Sequence, residues 1–112
     1  MALPTKNRLK KKKHFDRVFR VREGSALKGS FLFMRYLDNG ADTPHLGFVI
    51  PSKVLDKAVA RNRIKRVLAE TASRYLKILT GQDILVILKK AGDEGTIKSE
   101  LESLLNKIGH IK

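Results

Sequence analysis

The chain has 112 residues, a length that suits one domain with a modest core. It carries 24 Lys and Arg against 11 Asp and Glu, a formal charge of +13, so a polyanion is the expected partner: nucleic acid first, an anionic membrane surface second. It has no Cys, which excludes a disulfide framework, a Cys-ligated zinc site and a cysteine nucleophile.

The basic start MALPTKNRLKKKKHF has no apolar stretch behind it, so no secretory leader is expected. Residues 1–22 hold nine basic residues and one acid, Asp16, and about 1–8, with Pro4, reads as a flexible basic tail. From about 11 to 20, Phe15, Val18 and Phe19 fall at i, i+3, i+4, one face of a short helix. A weak strand signal covers 23–28. A stronger one runs from Ser30 to Leu37 and stops at the turn cluster Asp38-Asn39-Gly40. Alternation places Phe31 and Phe33 on one face of that strand and Tyr36 on the other.

His45 to Ile50 is the next strand, closed by Pro51. A long helix is predicted over 57–79, with Asp56 as N-cap and Gly81 as the stop. Its apolar face is Ile64, Val67, Leu68, Thr71, Tyr75 and Ile78; Asn62, Lys65, Arg66, Ala69 and Ser73 lie opposite. The run 83–88 is apolar on both faces and therefore predicts a central strand covered twice; it also contains the longest apolar run, too short to span a bilayer. A final amphipathic helix over 96–108 uses Ile97, Leu101, Leu104, Leu105 and Ile108. The order gives an α+β fold: a single-domain α/β sandwich over 1–112, with helices packed on one small mixed sheet. If the strands flanking the long helix are parallel, the general rule for such a βαβ unit is a right-handed crossover.

Residues 51–77 carry eight basic residues against Asp56 and Glu70, and the run Arg61-Asn62-Arg63-Ile64-Lys65-Arg66 covers most of the outward arc of its helix. Solvated helix faces usually mix signs to gain i, i+4 pairs, and no acid lies between Asp56 and Glu70. The guanidinium fork suits phosphate because it donates two parallel hydrogen bonds. Phe15 and Phe19 beside the cations of the N-terminal block are the equipment for stacking unpaired bases, although their spacing equally serves a core. His14, His45 and His110 lack ligand spacing, and the acids form no two-metal nuclease pair. No phosphate-binding glycine loop or nucleophile elbow is present. Residue chemistry alone thus leads to a small basic RNA-binding domain. A general RNA-binding module, a self-sufficient nuclease and a membrane-surface protein are the competing classes.

The stretch Leu46-Gly47-Phe48-Val49-Ile50-Pro51-Ser52-Lys53, followed by Ala58-Val59-Ala60-Arg61-Asn62-Arg63-Ile64-Lys65-Arg66, resembles the signature of the bacterial ribonuclease P protein family. Asn7-Arg8-Leu9-Lys10, with Phe15, Val18 and Phe19 after it, is similar to the family's N-terminal pattern. The resemblance implies a left-handed βαβ crossover. It implies contact with ribonuclease P RNA through Arg61, Asn62, Arg63, Lys65 and Arg66, next to Ser52 and Lys53 of the signature; the N-terminal block with Arg8, Lys10, Lys11 and Lys12 reads, from its charge, as a further RNA contact or as a solubilising tail. The resemblance also implies a cleft for the single-stranded 5′ leader of precursor tRNA near Phe15, Phe19 and Lys53, with Met34 and Tyr36 both candidates for the strand position where the family often has Tyr. Catalysis would belong to the RNA and its Mg²⁺, with no cofactor held by protein side chains. The partners would be that RNA and the leader, not DNA or a membrane, in the bacterial cytoplasm. The chain departs from the family pattern at Asp56-Lys57, where Gly-Asn is common, and at Ala69 and Ala72, where an Arg and an aromatic are common.

Overall fold

The computed structural model describes residues 7–8, 25–40, 42–79 and 81–111. Within them the chain forms β1 (Ser25–Lys28), β2 (Leu32–Asp38), β3 (His45–Val49), α1 (Ala58–Ser73), a 3-10 turn (Leu76–Leu79), β4 (Gln82–Leu88) and α2 (Glu94–Ile111). The four strands make one mixed sheet in the order β1-β2-β4-β3. β1 and β4 both run antiparallel to β2, and β3 runs parallel to β4 with α1 crossing between them. This is the α+β arrangement that the element order implies; the short helix expected over about 11 to 20 lies outside the described residues.

The register sorts side chains into rows. Tyr36, Ile84 and Leu46 are neighbours across the sheet, as are Met34, Val86 and Phe48. These rows, with Leu32 and Leu88, meet Ile64, Leu68 and Ala72 of α1 and Ile97, Leu101, Leu104, Leu105 and Ile108 of α2 in one core. All five apolar positions predicted for α2 are buried. On the other face of the sheet, Leu85 is fully buried and packs with Val49 and Ile87. β4 is therefore central and covered on both faces, which is why its run shows no polar side.

The long helix is shorter than its periodicity predicts. An α-helix continuing past Ser73 would need Arg74 N–H to reach the Glu70 carbonyl, but Ser73 Oγ donates to that oxygen at 2.6 Å. Arg74 and Tyr75 bond instead to the carbonyls of Thr71 and Ala72, three residues back, and the chain tightens. Ile78 leaves the predicted apolar face and is substantially exposed. Gly81, in the left-handed region at φ +83°, follows the 3-10 turn rather than the α-helix. Tyr75 ties α1 to α2 by donating to Glu102 Oε2 at 3.1 Å; burial, then that carboxylate, holds its phenol pKa above the ordinary value.

Asp56 is not the N-cap. Lys57 holds that position, in extended backbone and with no side-chain cap. The helix entrance is tied from within: Arg61 Nη1 donates to the carbonyls of Leu55 and Asp56, each at 2.8 Å. Of the tail expected over about 1–8, residues 1–6 lie outside the described residues, and Asn7 and Arg8 are tied to the fold. Asn7 is buried, its Nδ2 donates to Pro44 O at 2.9 Å, and Arg8 forms a parallel bridge to Leu46 on the edge of β3 away from β4.

Two polar clusters pin the ends of the sheet. At one end Asp83 Oδ1 accepts from Asn39 Nδ2 at 3.0 Å and lies 2.9 Å from His45 Nδ1, which gives the strand histidine a structural partner. At the other end Glu100 of α2 accepts from Phe31 N at 2.9 Å and Leu32 N at 2.8 Å, amides at the turn between β1 and β2. Gly29 makes room for this: a Cβ there would run into the Glu100 carboxylate. Hydrogen bonds to a charged group are worth about 1.5–3 kcal/mol each. Glu100→Ala is therefore expected to cost about 1.5–3 kcal/mol in urea or thermal unfolding, with Glu100→Gln recovering part of it. Unchanged stability in both would show that the turn does not depend on this carboxylate.

Candidate nucleic-acid interface

The parallel pair β3 and β4 ends at one edge of the molecule, and the antiparallel β2 begins there, with Leu32 opposite Leu88. The turn after β3, the loop after β4 and the β1–β2 turn consequently share that end, and α1 sets out from it. Ser52 and Lys53 are exposed in the turn, where Val54 and Leu55 N–H fold back on Pro51 O. Asn62, Arg63, Lys65 and Arg66 are exposed along α1, and Lys89 and Lys90 are exposed in the loop after β4. Lys90 Nζ lies 5.7 Å from the centre of the Phe31 ring, a cation held over an aromatic face. A basic surface thus gathers cations from three separate stretches of chain. Arg8 is exposed beside Leu46, near the start of β3, and so lies towards the other end of that strand.

The members of this surface do different work. Arg61 is half-buried and spends Nη1 on the two carbonyls that enter the helix, so its first role is structural. Arg63 Nε donates to Glu94 Oε2 at 2.9 Å, a pair in which the Arg side chain is 71% exposed and the Glu 40%. No acid next to Arg63 in sequence suggests this partner; it comes from the first turn of α2. Asn62, Arg63 and Arg66 line a shallow depression together with Val59. Val59 is 82% exposed, a β-branched apolar side chain left in water among cations.

Met34 and Tyr36 are corrected as RNA-facing residues. They are 0% and 8% exposed and belong to the core under the helices. They sit two apart and so share a face, with Leu32, against α1 and α2. The residues of β2 on the opposite face are Phe33, Arg35 and Leu37, all half-buried. Phe33 beside Arg35 is an aromatic next to a cation on one face, a pair that the alternation of β2 could have revealed. Lys10, Lys11, Lys12, Phe15 and Phe19 lie outside the described residues.

Among the described residues no group of three or more His, Cys, Asp or Glu is placed to hold a metal ion. No described helix is long and apolar enough to cross a membrane. The surface offers donors, cations and an apolar contact, which is chemistry for holding a polyanion.

A family model described as Ribonuclease P matches residues 3–109. The chain belongs to the ribonuclease P protein family. The "Ribonuclease P protein component" of Azoarcus sp. BH72 is 30% identical over 105 residues, 94% of this chain and 86% of the relative. That of Pseudomonas putida KT2440 is 36% identical over 83 residues, 74% of this chain; the match spans 62% of the relative's length. Among solved structures, the RNase P protein of Thermotoga maritima superposes with a TM-score of 0.75 at 31% identity, over 86% of this chain and 94% of that one. A mutant of the Staphylococcus aureus RNase P protein gives 0.79 at 27% identity, over 90% and 86%. The family's sheet and helices are those described above.

The division of labour on α1 separates two kinds of arginine. Arg61→Ala removes two bonds from a charged donor and is expected to cost about 1–3 kcal/mol of stability. Arg66→Ala, on an exposed position, should stay within about 0.5 kcal/mol of the parent. Equal melting temperatures for the two variants would contradict the structural role of Arg61.

Proposed function

We propose that this chain is the RNA-binding subunit of a bacterial ribonuclease P, which assists a catalytic RNA in cutting the 5′ leader from precursor tRNA. The observation that carries this reading is the exposed row Asn62, Lys65 and Arg66 on α1, continued by Ser52 and Lys53 at the helix entrance, in a member of this family. Arginine forks and lysine ammonium groups neutralise phosphates, and each neutralised phosphate releases condensed counterions into solution. Asn62 adds a neutral donor and acceptor for sugar or base edges, and Val59 gives an apolar surface for a ribose or base face.

In this reading the bond-breaking chemistry lies with the RNA and the Mg²⁺ bound to it. The protein contributes positive charge where two RNA molecules must approach, which lowers their repulsion and with it the Mg²⁺ needed. The single-stranded leader would run along the sheet face opposite the helices, with Phe33 offering a ring for stacking and Arg35 and Lys53 the charge. Phe15 and Phe19 are proposed for the same strand of RNA. The bacterial cytoplasm, where precursor tRNA is made, would be the site of action.

The test is precursor-tRNA cleavage at low Mg²⁺ by a bacterial ribonuclease P RNA, with and without the protein, beside a protein-only lane. Correct 5′ cleavage only when both are present is the expected result. No stimulation of several such RNAs would favour a general RNA-binding module, and cleavage by protein alone would place the active site in its side chains.

Two substitutions refine it. Arg66→Ala should weaken binding to the catalytic RNA and flatten the log–log salt dependence by up to about one unit. Phe33→Ala should lose about 1–3 kcal/mol of affinity for leader-bearing tRNA but not for mature tRNA, because base stacking on one ring is worth that much. A circular-dichroism melt of Phe33→Ala separates lost stacking from lost folding; equal loss on both tRNAs would count against the sheet-face path.

A further inference from the structure

Arg63 stands in the middle of the basic run, yet it already holds an anion. Its Nε donates to Glu94 Oε2 at 2.9 Å, and both side chains reach solvent. The next acid along α1, Glu70, lies one turn beyond Arg66. Glu94 arrives from a distant part of the chain, carried by the first turn of α2, whose N-terminal end favours a negative charge and so keeps the carboxylate there. Asp93 secures that turn by accepting from Thr96 N.

We propose that Glu94 is a built-in competitor for RNA phosphate at Arg63: it occupies part of the guanidinium until an RNA phosphate displaces it, and thereby sets the strength of RNA binding. Resting on the reading of α1 as an RNA-binding surface, this role adds a residue that opposes binding. The pair is a single-point contact in water, so it is weak enough for a phosphate to replace it by two parallel bonds to the same fork. It also cancels the charge that Arg63 would otherwise deliver. Arg63 and Glu94 together present no net charge to the RNA, and the salt dependence of binding should register that cancellation directly.

The experiment measures binding of the full chain to a transcribed ribonuclease P RNA over a range of salt, by filter retention or fluorescence anisotropy. The proteins are the parent, Glu94→Gln, Arg63→Gln, the double variant, Arg66→Ala, and Asp42→Asn. Asp42 is an exposed acid between β2 and β3, at the far end of the sheet, so its variant makes the same change in net charge away from the entrance of α1. Glu94→Gln is expected to bind up to about fivefold tighter, the range set by an exposed ion pair. Its salt slope should steepen by up to about one unit, with the gain absent in the Arg63→Gln background. Asp42→Asn should change affinity little. A Glu94→Gln protein that binds no tighter than Asp42→Asn, or weaker than the parent, overturns the competitor role and makes Glu94 a positioning residue at most. A gain that survives in the double variant overturns the pairing with Arg63. If Arg66→Ala also binds like the parent, the α1 reading itself falls, a result distinct from failure of Glu94 alone.

Discussion

Strand β4 is bonded along both edges and covered on both faces, and every other element takes its place from it. Ile84, Val86 and Leu88 are buried on one face; Asp83 and Leu85 are buried on the other. The one charged residue among them, Asp83, is held by Asn39 and His45, so its carboxylate has partners inside the fold. Such a strand needs a neighbour on each side and a layer above and below. β2 and β3 supply the neighbours, and α1 and α2 supply one layer. The parallel pairing of β3 with β4 then sends the chain across the sheet between them, so α1 sets out from the end where both strands finish.

That placement makes the basic surface. Ser52 and Lys53, the outward side of α1, and Lys89 and Lys90 come from stretches far apart in sequence, yet the topology delivers them to one end. The opposite end is occupied by the Asn39, His45 and Asp83 cluster, whose polar groups satisfy one another. The two ends of one sheet thus differ in kind: at one a buried carboxylate is held by side-chain partners, at the other cations face solvent.

Much of this is legible in the sequence because it is local. Period two finds β2, period 3.6 finds α2, and a run without a polar side finds the central strand. Periodicity overextends α1 because apolar spacing continues through Tyr75 and Ile78, while a single hydroxyl, that of Ser73, takes the carbonyl the next turn requires. Residue type points to Asp56 as a cap, whereas the entrance is held by Arg61 reaching back. Family pattern points to Met34 and Tyr36 as RNA contacts, and the sheet register buries both. The Arg63–Glu94 pair spans 31 positions and has no sequence signal at all.

The bond from the β1–β2 turn to Glu100 joins positions 68 and 69 residues apart. β2 likewise waits for β4, which follows it after the whole of β3 and α1. A chain emerging from the ribosome therefore exposes its first hairpin, unpaired on the inner edge, until nearly all of the domain has been made. Meanwhile the cationic helix is already out. A nascent chain of this design therefore displays its positive charge while its sheet is still unfinished, so the order of synthesis exposes the cations ahead of completed folding.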